Sequence, residues 1–128
     1  MKTVLAPFAG SPPAGGPYSL AVRAAGPLLF VAGQGPWDPA TGRMERGPIA
    51  EQTRLTLDNI ARIVAKAGGK MENAVSVRVY LQPMTPESFA EMNSAYARYW
   101  GPDKPVRTTV GAQLDGLDVE IDCVIALD

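Results

Sequence analysis

The sequence contains no histidine and only one cysteine, and these two absences remove several classes of chemistry. Without histidine, neither a Ser-His-Asp triad nor a Cys-His pair can form, and most zinc sites lose a common ligand. A single cysteine excludes an internal disulfide, and the apolar run around Cys123 predicts a buried, unreactive thiol. Any chemistry must therefore use Arg, Asp, Glu, Tyr, Ser, Thr, backbone groups or water, and we expect neither a metal nor a cofactor.

An excess of positive charge and long apolar runs are also missing. The 12 basic and 13 acidic residues give a net charge of −1 without any Lys/Arg cluster. This balance disfavours a nucleic-acid partner, because phosphate binding needs a basic surface. No stretch approaches the roughly 20 apolar residues that a membrane helix requires. The short N-terminal apolar run ends at Pro7 and makes a poor signal peptide, so we expect a cytoplasmic protein.

The composition that remains is that of an ordinary soluble domain. Hydrophobic residues make up 46% of the 128 residues and charged residues 20%. The chain has no internal repeat, linker or low-complexity tract. We therefore predict a single domain over residues 1–128.

Hydrophobic periodicity and turn residues predict the element order β-β-α-β-α-β-β. The proline- and glycine-rich residues 1–17 are predicted to form an extended loop rather than an element. Thr85 is the expected cap of the second helix, whereas Ser88 lacks the acid that a capping box would want. The predicted strands are 18–24, 27–33, 74–82, 105–111 and 118–127, and the predicted helices are 48–67 and 85–100.

This order predicts an α+β sandwich in which one sheet carries two helices on one face. The last strand supports it, because every odd-numbered residue from Leu117 to Leu127 is apolar and can face the helices. The even-numbered residues from Asp118 to Ala126 are a mixture of acidic and apolar types. A second sheet face of this kind favours burial against another subunit as much as exposure to water.

Two charged residues, Arg107 and Glu120, interrupt the last two strand-like stretches. A turn at Asp115-Gly116 predicts an antiparallel hairpin here. With an even-numbered loop and no bulge, both charges would then lie on the sheet face away from the apolar stripe. One interpretation is a cross-strand salt bridge on a solvated face. The other is an arginine that grips a carboxylate, near a glutamate that handles a proton or a water molecule.

Several stretches, taken together, resemble the motifs of the Rid family (reactive intermediate deaminases, also called YjgF or endoribonuclease L-PSP). Arg107 and Glu120 fall on the two charged positions of the family's C-terminal signature. The resemblance covers nearly the whole chain. The matching stretches are "GPYS" (16–19), "LLFVAGQGPWDPATG" (28–42), "EQTRLTLDNIARIVAKAGG" (51–69), "VRVYL" (77–81), "MNSAYARYW" (92–100) and "PVRTTVGAQLDGLDVEI" (105–121).

The resemblance implies a chorismate-mutase-like α+β fold with a mixed sheet, assembled as a homotrimer with a site in each cleft between subunits. It implies hydrolysis of 2-imino acids, the tautomers of 2-aminoacrylate and 2-aminocrotonate, to 2-keto acids and ammonia. By the same resemblance Arg107 grips the substrate carboxylate and Glu120 positions the water. Tyr18 and the backbone of Gly33 line the cleft.

The sequence departs from the family pattern at positions close to the expected cleft. Ala32 stands where the family usually has serine, Thr109 where many deaminases have cysteine, and Leu20 where glutamine is usual. The segment between Arg107 and Glu120 is also shorter than in the common form. We count Ala32 and Thr109 among the expected substrate-binding residues. Two alternatives to a deaminase stay open: a trimeric module that binds 2-keto acids without turnover, and a ribonuclease, which the charge balance disfavours.

Overall fold

The computed structural model describes all residues from 1 to 128, and it places two helices on one face of a four-stranded sheet. The sheet has the strand order β3-β8-β6-β7, and only the β6–β7 pair is parallel. Two small two-stranded sheets, β1–β2 and β4–β5, complete the mixed α+β fold. The strands are β1 (Lys2–Val4), β2 (Val22–Ala24), β3 (Leu28–Gln34), β4 (Trp37–Asp38), β5 (Arg43–Met44), β6 (Ala74–Leu81), β7 (Val106–Gly111) and β8 (Val119–Ala126), and the helices are α1 (Ile49–Lys66) and α2 (Pro86–Tyr96).

Both predicted helices are confirmed, with different accuracy at their ends. Helix α1 agrees with the prediction to within a residue at each end, and Gly68 follows it with a φ of 83° that favours glycine. Helix α2 begins after the expected Thr85 cap but ends at Tyr96, four residues before the predicted end. The expectation for Ser88 was wrong, because its hydroxyl accepts a hydrogen bond from the Thr85 backbone N–H and completes a capping box.

The N-terminal segment differs from the prediction in two ways. The predicted loop contains a short strand, β1. Of the predicted strand 18–24, only Val22–Ala24 form a strand, β2. These two strands pair with each other, with Thr3 opposite Arg23, and lie outside the four-stranded sheet. Three residues of strand are too few to show alternation, so the sequence pattern carried no signal for β1.

The predicted hairpin between the last two strands is wrong, because β6 lies between β7 and β8. The connecting residues 112–118 cross the end of β6 instead of turning tightly. The Gln82 side chain, just after β6, fixes this crossing: it accepts a hydrogen bond from the Leu114 N–H at 2.8 Å and donates to the Leu114 carbonyl at 3.1 Å. Strand β6 is connected through α2 to β7 and pairs with it in parallel. The predicted hairpin did not include this arrangement.

This topology also overturns the prediction that Arg107 and Glu120 share a face. Arg107 is paired with Val77, which is in turn paired with Cys123, so these three residues lie on the helix-covered face. Glu120 is paired with Tyr80 and lies on the opposite, open face. Because β6 lies between β7 and β8, Arg107 and Glu120 are each aligned with a residue of β6 rather than with each other. Their partners, Val77 and Tyr80, face opposite sides of the sheet, and so do the two charges.

The helix-covered face holds one continuous hydrophobic core, whereas the open face is only partly apolar. On the open face, Phe30 is 74% exposed and Leu28 44% exposed, beside an ion pair of 2.9 Å between Arg78 and Asp122. Neither helix is sufficiently long and apolar to cross a bilayer. The core residues are Val31, Leu57, Ile60, Val64, Ala74, Val77, Val79, Leu81, Met92, Tyr96, Trp100, Val119, Ile121, Cys123 and Ile125.

Candidate functional site

Arg107 is a buried cation that no carboxylate neutralises. Its side chain leaves the edge strand β7 towards helix α2, and the residue is only 8% exposed. It takes part in none of the ion pairs of the chain, and its Nε is buried without a hydrogen-bond partner. The one polar contact of the guanidinium is a weak one, from Nη1 to the Met92 sulfur at 3.9 Å. Buried charges are normally paired, so this guanidinium is prepared for an anion from outside the chain.

Three aromatic rings surround the Arg107 guanidinium in place of an acid. Its central carbon lies 4.8 Å from the Tyr96 ring centroid, 5.4 Å from that of Tyr18 and 5.5 Å from that of Phe89. Cation–π attraction to these rings holds the charge in place without neutralising it. Burial lowers the pKa of Arg107, and Tyr96 and Tyr18 oppose that effect. The side chain stays cationic, because arginine remains protonated in proteins.

An open pocket of about 220 Å³ leads to this guanidinium. Unpartnered polar atoms gather around it: Thr109 Oγ1 and Asn93 Oδ1 are buried without a hydrogen-bond partner, as is the hydroxyl of Tyr96. Buried polar atoms are rarely left unsatisfied in folded proteins, and a cluster of them is typical of a ligand site. The pocket is lined by Gly15, Tyr18, Phe89, Arg107 and Thr109.

The "GPYS" motif places Tyr18 over Arg107 through a glycine turn. The Gly15 N–H donates to the Tyr18 hydroxyl at 2.9 Å, and the Tyr18 N–H donates to the Gly16 carbonyl at the same distance. A Cβ on Gly16 would lie 2.9 Å from Arg107 Nη2, so a larger residue here would displace the guanidinium from its present position. The Ser19 N–H then donates to the Pro105 carbonyl at 3.1 Å and fastens the turn beside β7.

Glu120 occupies a second small site, on the open face of the sheet. Its side chain lies against Gly33, where an added Cβ would sit 2.7 Å from Glu120 Oε2. The Glu120 carboxylate has no hydrogen bond and no ion pair within the chain. The pairing of β3 with β8 is irregular between Val31 and Gln34, so Ala32 and Gly33 fall in a bulge beside Glu120. A bulge releases backbone groups from the ladder and makes them available to a ligand.

The predicted site residues therefore form two groups within one chain. Arg107, Tyr18 and Thr109 share the pocket under α2. Glu120 lies instead against Gly33 on the other side of the sheet. Ala32 adjoins Gly33 in a groove on that face that Glu120 does not line. A salt bridge between Arg107 and Glu120, one of the two interpretations of the sequence, is not formed.

Sequence reasoning missed Phe89 and Asn93. Phe89 follows the helical spacing of apolar residues 89, 92, 96 and 100, which by itself indicates only packing against the core, although its ring also lines the pocket. Asn93 lies one position beyond that stripe, and a lone amide on a helix gives no distinctive pattern. No group of three or more acidic or cysteine side chains is arranged to hold a metal ion.

The carboxylates that flank Glu120 on β8 are satisfied within the chain. Asp118 accepts hydrogen bonds from Arg46 Nη2 at 2.7 Å and from Gln52 Nε2 at 2.9 Å. Burial alone would raise the pKa of Asp118, but the hydrogen bonds from Arg46, Gln52 and Gln82 outweigh it and hold this pKa below its usual value. Asp122 is paired with Arg78.

Comparisons of the sequence and of the structure with known proteins identify the same family. The family profile described as "Endoribonuclease L-PSP" matches residues 8–127. A RutC family protein of Pyrococcus horikoshii is 47% identical, over 74% of this chain and 73% of its own length. The crystal structure of YyfB of Yersinia pestis, a Rid family protein of unknown function, superposes with a TM-score of 0.87 at 26% identity over 98% of both chains. Yeast Mmf1 gives a TM-score of 0.73 at 31% identity over the full length of both chains.

Proposed function

Because the chain belongs to the Rid family, also known as the YjgF or endoribonuclease L-PSP family, we propose that it hydrolyses small 2-imino acids to 2-keto acids and ammonia. One observation supports this proposal above the others: Arg107 is a buried, unpaired cation at the end of an open pocket. Such a group is suited to a small carboxylate. The two-pronged guanidinium can bind both carboxylate oxygens at once, which fixes the orientation of the rest of the substrate.

The reaction needs only a positioned water and a proton acceptor, which fits a chain without histidine. The water oxygen adds to the carbon of the protonated imine while one water proton passes to Glu120, which gives a neutral carbinolamine. Glu120 then returns this proton to the carbinolamine nitrogen. The C–N bond breaks to release ammonia while the hydroxyl loses its proton to solvent and becomes the carbonyl oxygen, so no oxidant or reductant is consumed. The Thr109 hydroxyl, which has no partner in the chain, supplies a hydrogen bond to the substrate or to this water.

Arg107 and Glu120 can serve one substrate only if they come from different copies of the chain. They lie on opposite faces of the sheet, and the body of the sheet separates them within one copy. The exposed Phe30 and Leu28 on the Glu120 face provide apolar area for a subunit contact. We propose a homotrimer in which the Glu120 face of one copy meets the Arg107 pocket of its neighbour.

The activity is tested by generating 2-aminoacrylate with a serine or cysteine lyase and following pyruvate formation with and without this protein. A faster release of pyruvate supports the deaminase. Binding of 2-keto acids without any acceleration would favour the non-catalytic binding module instead. Cleavage of RNA that survives repurification would favour a ribonuclease, although the net charge of −1 provides no basic surface for RNA.

The shared site is tested by mixing two inactive variants. Arg107→Met and Glu120→Gln each remove one half of every site. If the variants are unfolded and refolded together, random trimers regain about a quarter of wild-type sites, because each site draws its two halves independently from an equal mixture. No recovery of activity in mixed trimers of confirmed mass would overturn the two-copy site. A monomer mass by light scattering at micromolar concentration would overturn the trimer itself.

A further inference from the structure

A second, larger cavity of about 580 Å³ adjoins the Arg107 pocket. Tyr18 is the one residue that lines both spaces. The second cavity is formed mainly by the N-terminal segment, and apolar side chains make up the larger part of its lining. Leu5, Pro7, Pro12, Pro13 and Leu20 line it beside the polar residues Ser11, Ser19 and Asp103.

The Tyr18 ring is held between the two spaces from both ends. Its hydroxyl accepts the 2.9 Å hydrogen bond from the Gly15 N–H, and its ring lies 5.4 Å from the Arg107 guanidinium carbon. The next residue is bound to the start of β7 through the Ser19 N–H. These contacts together define the position of the ring between the two cavities.

We propose that Tyr18 determines substrate size by closing the Arg107 pocket off from this second cavity. The inference rests on the proposed function, since it concerns the side chain of the 2-imino acid whose carboxylate Arg107 holds. With the ring in place, a methyl or ethyl side chain fits beside Arg107, whereas a branched chain meets Tyr18. With the ring removed, the apolar cavity is open to a longer aliphatic side chain.

The test compares a short and a long ligand on three Tyr18 variants. Calorimetry gives the affinities for pyruvate and for 4-methyl-2-oxopentanoate, and turnover is measured with the corresponding imines from an amino-acid oxidase. Tyr18→Ala should raise the affinity for 4-methyl-2-oxopentanoate relative to that for pyruvate about tenfold or more. This is the scale on which apolar pockets discriminate between ligands that differ by methylene groups. Tyr18→Phe keeps the ring but loses the hydrogen bond from the Gly15 N–H, and its ratio should stay closer to wild type than that of either opening variant. Tyr18→Leu is a second opening variant, in case the alanine variant does not fold.

Phe89→Leu is the matched control, because Phe89 lines the Arg107 pocket but not the second cavity. It should weaken both ligands alike and leave their ratio unchanged. The proposal that Tyr18 determines substrate size would be overturned by either of two results. One is an unchanged ratio of the two affinities in folded Tyr18→Ala and Tyr18→Leu, and the other is an equal change of this ratio in Phe89→Leu. The keto-acid affinities report on the role of Tyr18 even if no imine is hydrolysed, so failure of the deaminase assay alone counts against the proposed function and not against Tyr18.

Discussion

Replacing Arg107 with methionine should weaken carboxylate binding without a large loss of stability. Methionine keeps an unbranched apolar stem among the rings of Tyr18, Phe89 and Tyr96 but removes the charge. In most proteins the loss of a buried arginine strands a carboxylate partner. Here Arg107 has no such partner, so no buried charge is left behind.

The two energetic effects on the free protein oppose each other. Three cation–π contacts are lost, and at a desolvated position each contributes about 2 kcal/mol, a total of roughly 6 kcal/mol. Removing an unpaired cation from a buried position relieves a desolvation penalty of about several kcal/mol. Because these two effects are of similar size and opposite sign, the net loss in the free energy of unfolding should stay below the value of about 3–5 kcal/mol expected when a buried ion pair is broken. Ligand binding loses a charge-assisted interaction of about 1.5–3 kcal/mol, which corresponds to a roughly 10–150-fold weaker Kd for a 2-keto acid.

Urea denaturation and calorimetric titration with 2-oxobutanoate give the two quantities separately. Arg107→Lys is the control: it keeps the charge but not the two-pronged geometry, and it should recover only part of the affinity. A loss of about 3–5 kcal/mol of stability with unchanged affinity is the result expected for one partner of a structural ion pair. That result would refute the assignment of Arg107 as a ligand-binding residue.

Three further expectations concern Glu120, Thr109 and the acid stability of the fold. Glu120→Gln should lower kcat with little change in KM, and Gly33→Ala should do the same because its Cβ displaces the carboxylate; a wild-type kcat in both would remove Glu120 from the reaction. Thr109→Ala should change kcat/KM less than the loss of Arg107 does, and an equal loss would mean that the proposed pose is wrong. Asp118 stabilises the fold above its unfolded pKa of about 3.9, and this contribution disappears as pH falls through its lowered folded pKa. Asp118→Asn should therefore unfold more readily than wild type at neutral pH, with a difference that shrinks in acid titrations.

The elements of the main sheet and both helices could be predicted from sequence because each shows either a clear period or an apolar run bounded by turn residues. Alternation fixed β6 and β8, and the three- and four-residue spacing fixed α1. The strand order could not be obtained in the same way. Alternation says which residues share a face within one strand but nothing about which strand is the neighbour. The hairpin assumption therefore placed Arg107 and Glu120 together, and the insertion of β6 separated them.

The two charged residues of the candidate site were accessible to sequence reasoning, whereas their surroundings were not. Arg107 and Glu120 stand out as charges in apolar strands, and a family motif contains both. The aromatic rings around Arg107 come from a loop and a helix distant in the chain, and nothing in the spacing of Tyr18, Phe89 and Tyr96 indicates that they converge. Such convergence is a property of tertiary packing.

The acidic residues at the start of β8 differ in whether the chain provides them with a partner. Asp118 lies just before the strand, where Arg46 and the amides of Gln52 and Gln82 bind its carboxylate. Asp122 lies on the open face of the strand and is paired with Arg78, so the carboxylates two residues before and two residues after Glu120 are both satisfied. Glu120, between them, is left without a partner, and so is Arg107 on the other face. Two opposite charges are therefore left free, each beside a glycine whose missing Cβ leaves room for it, and the proposed substrate and second copy of the chain would account for both.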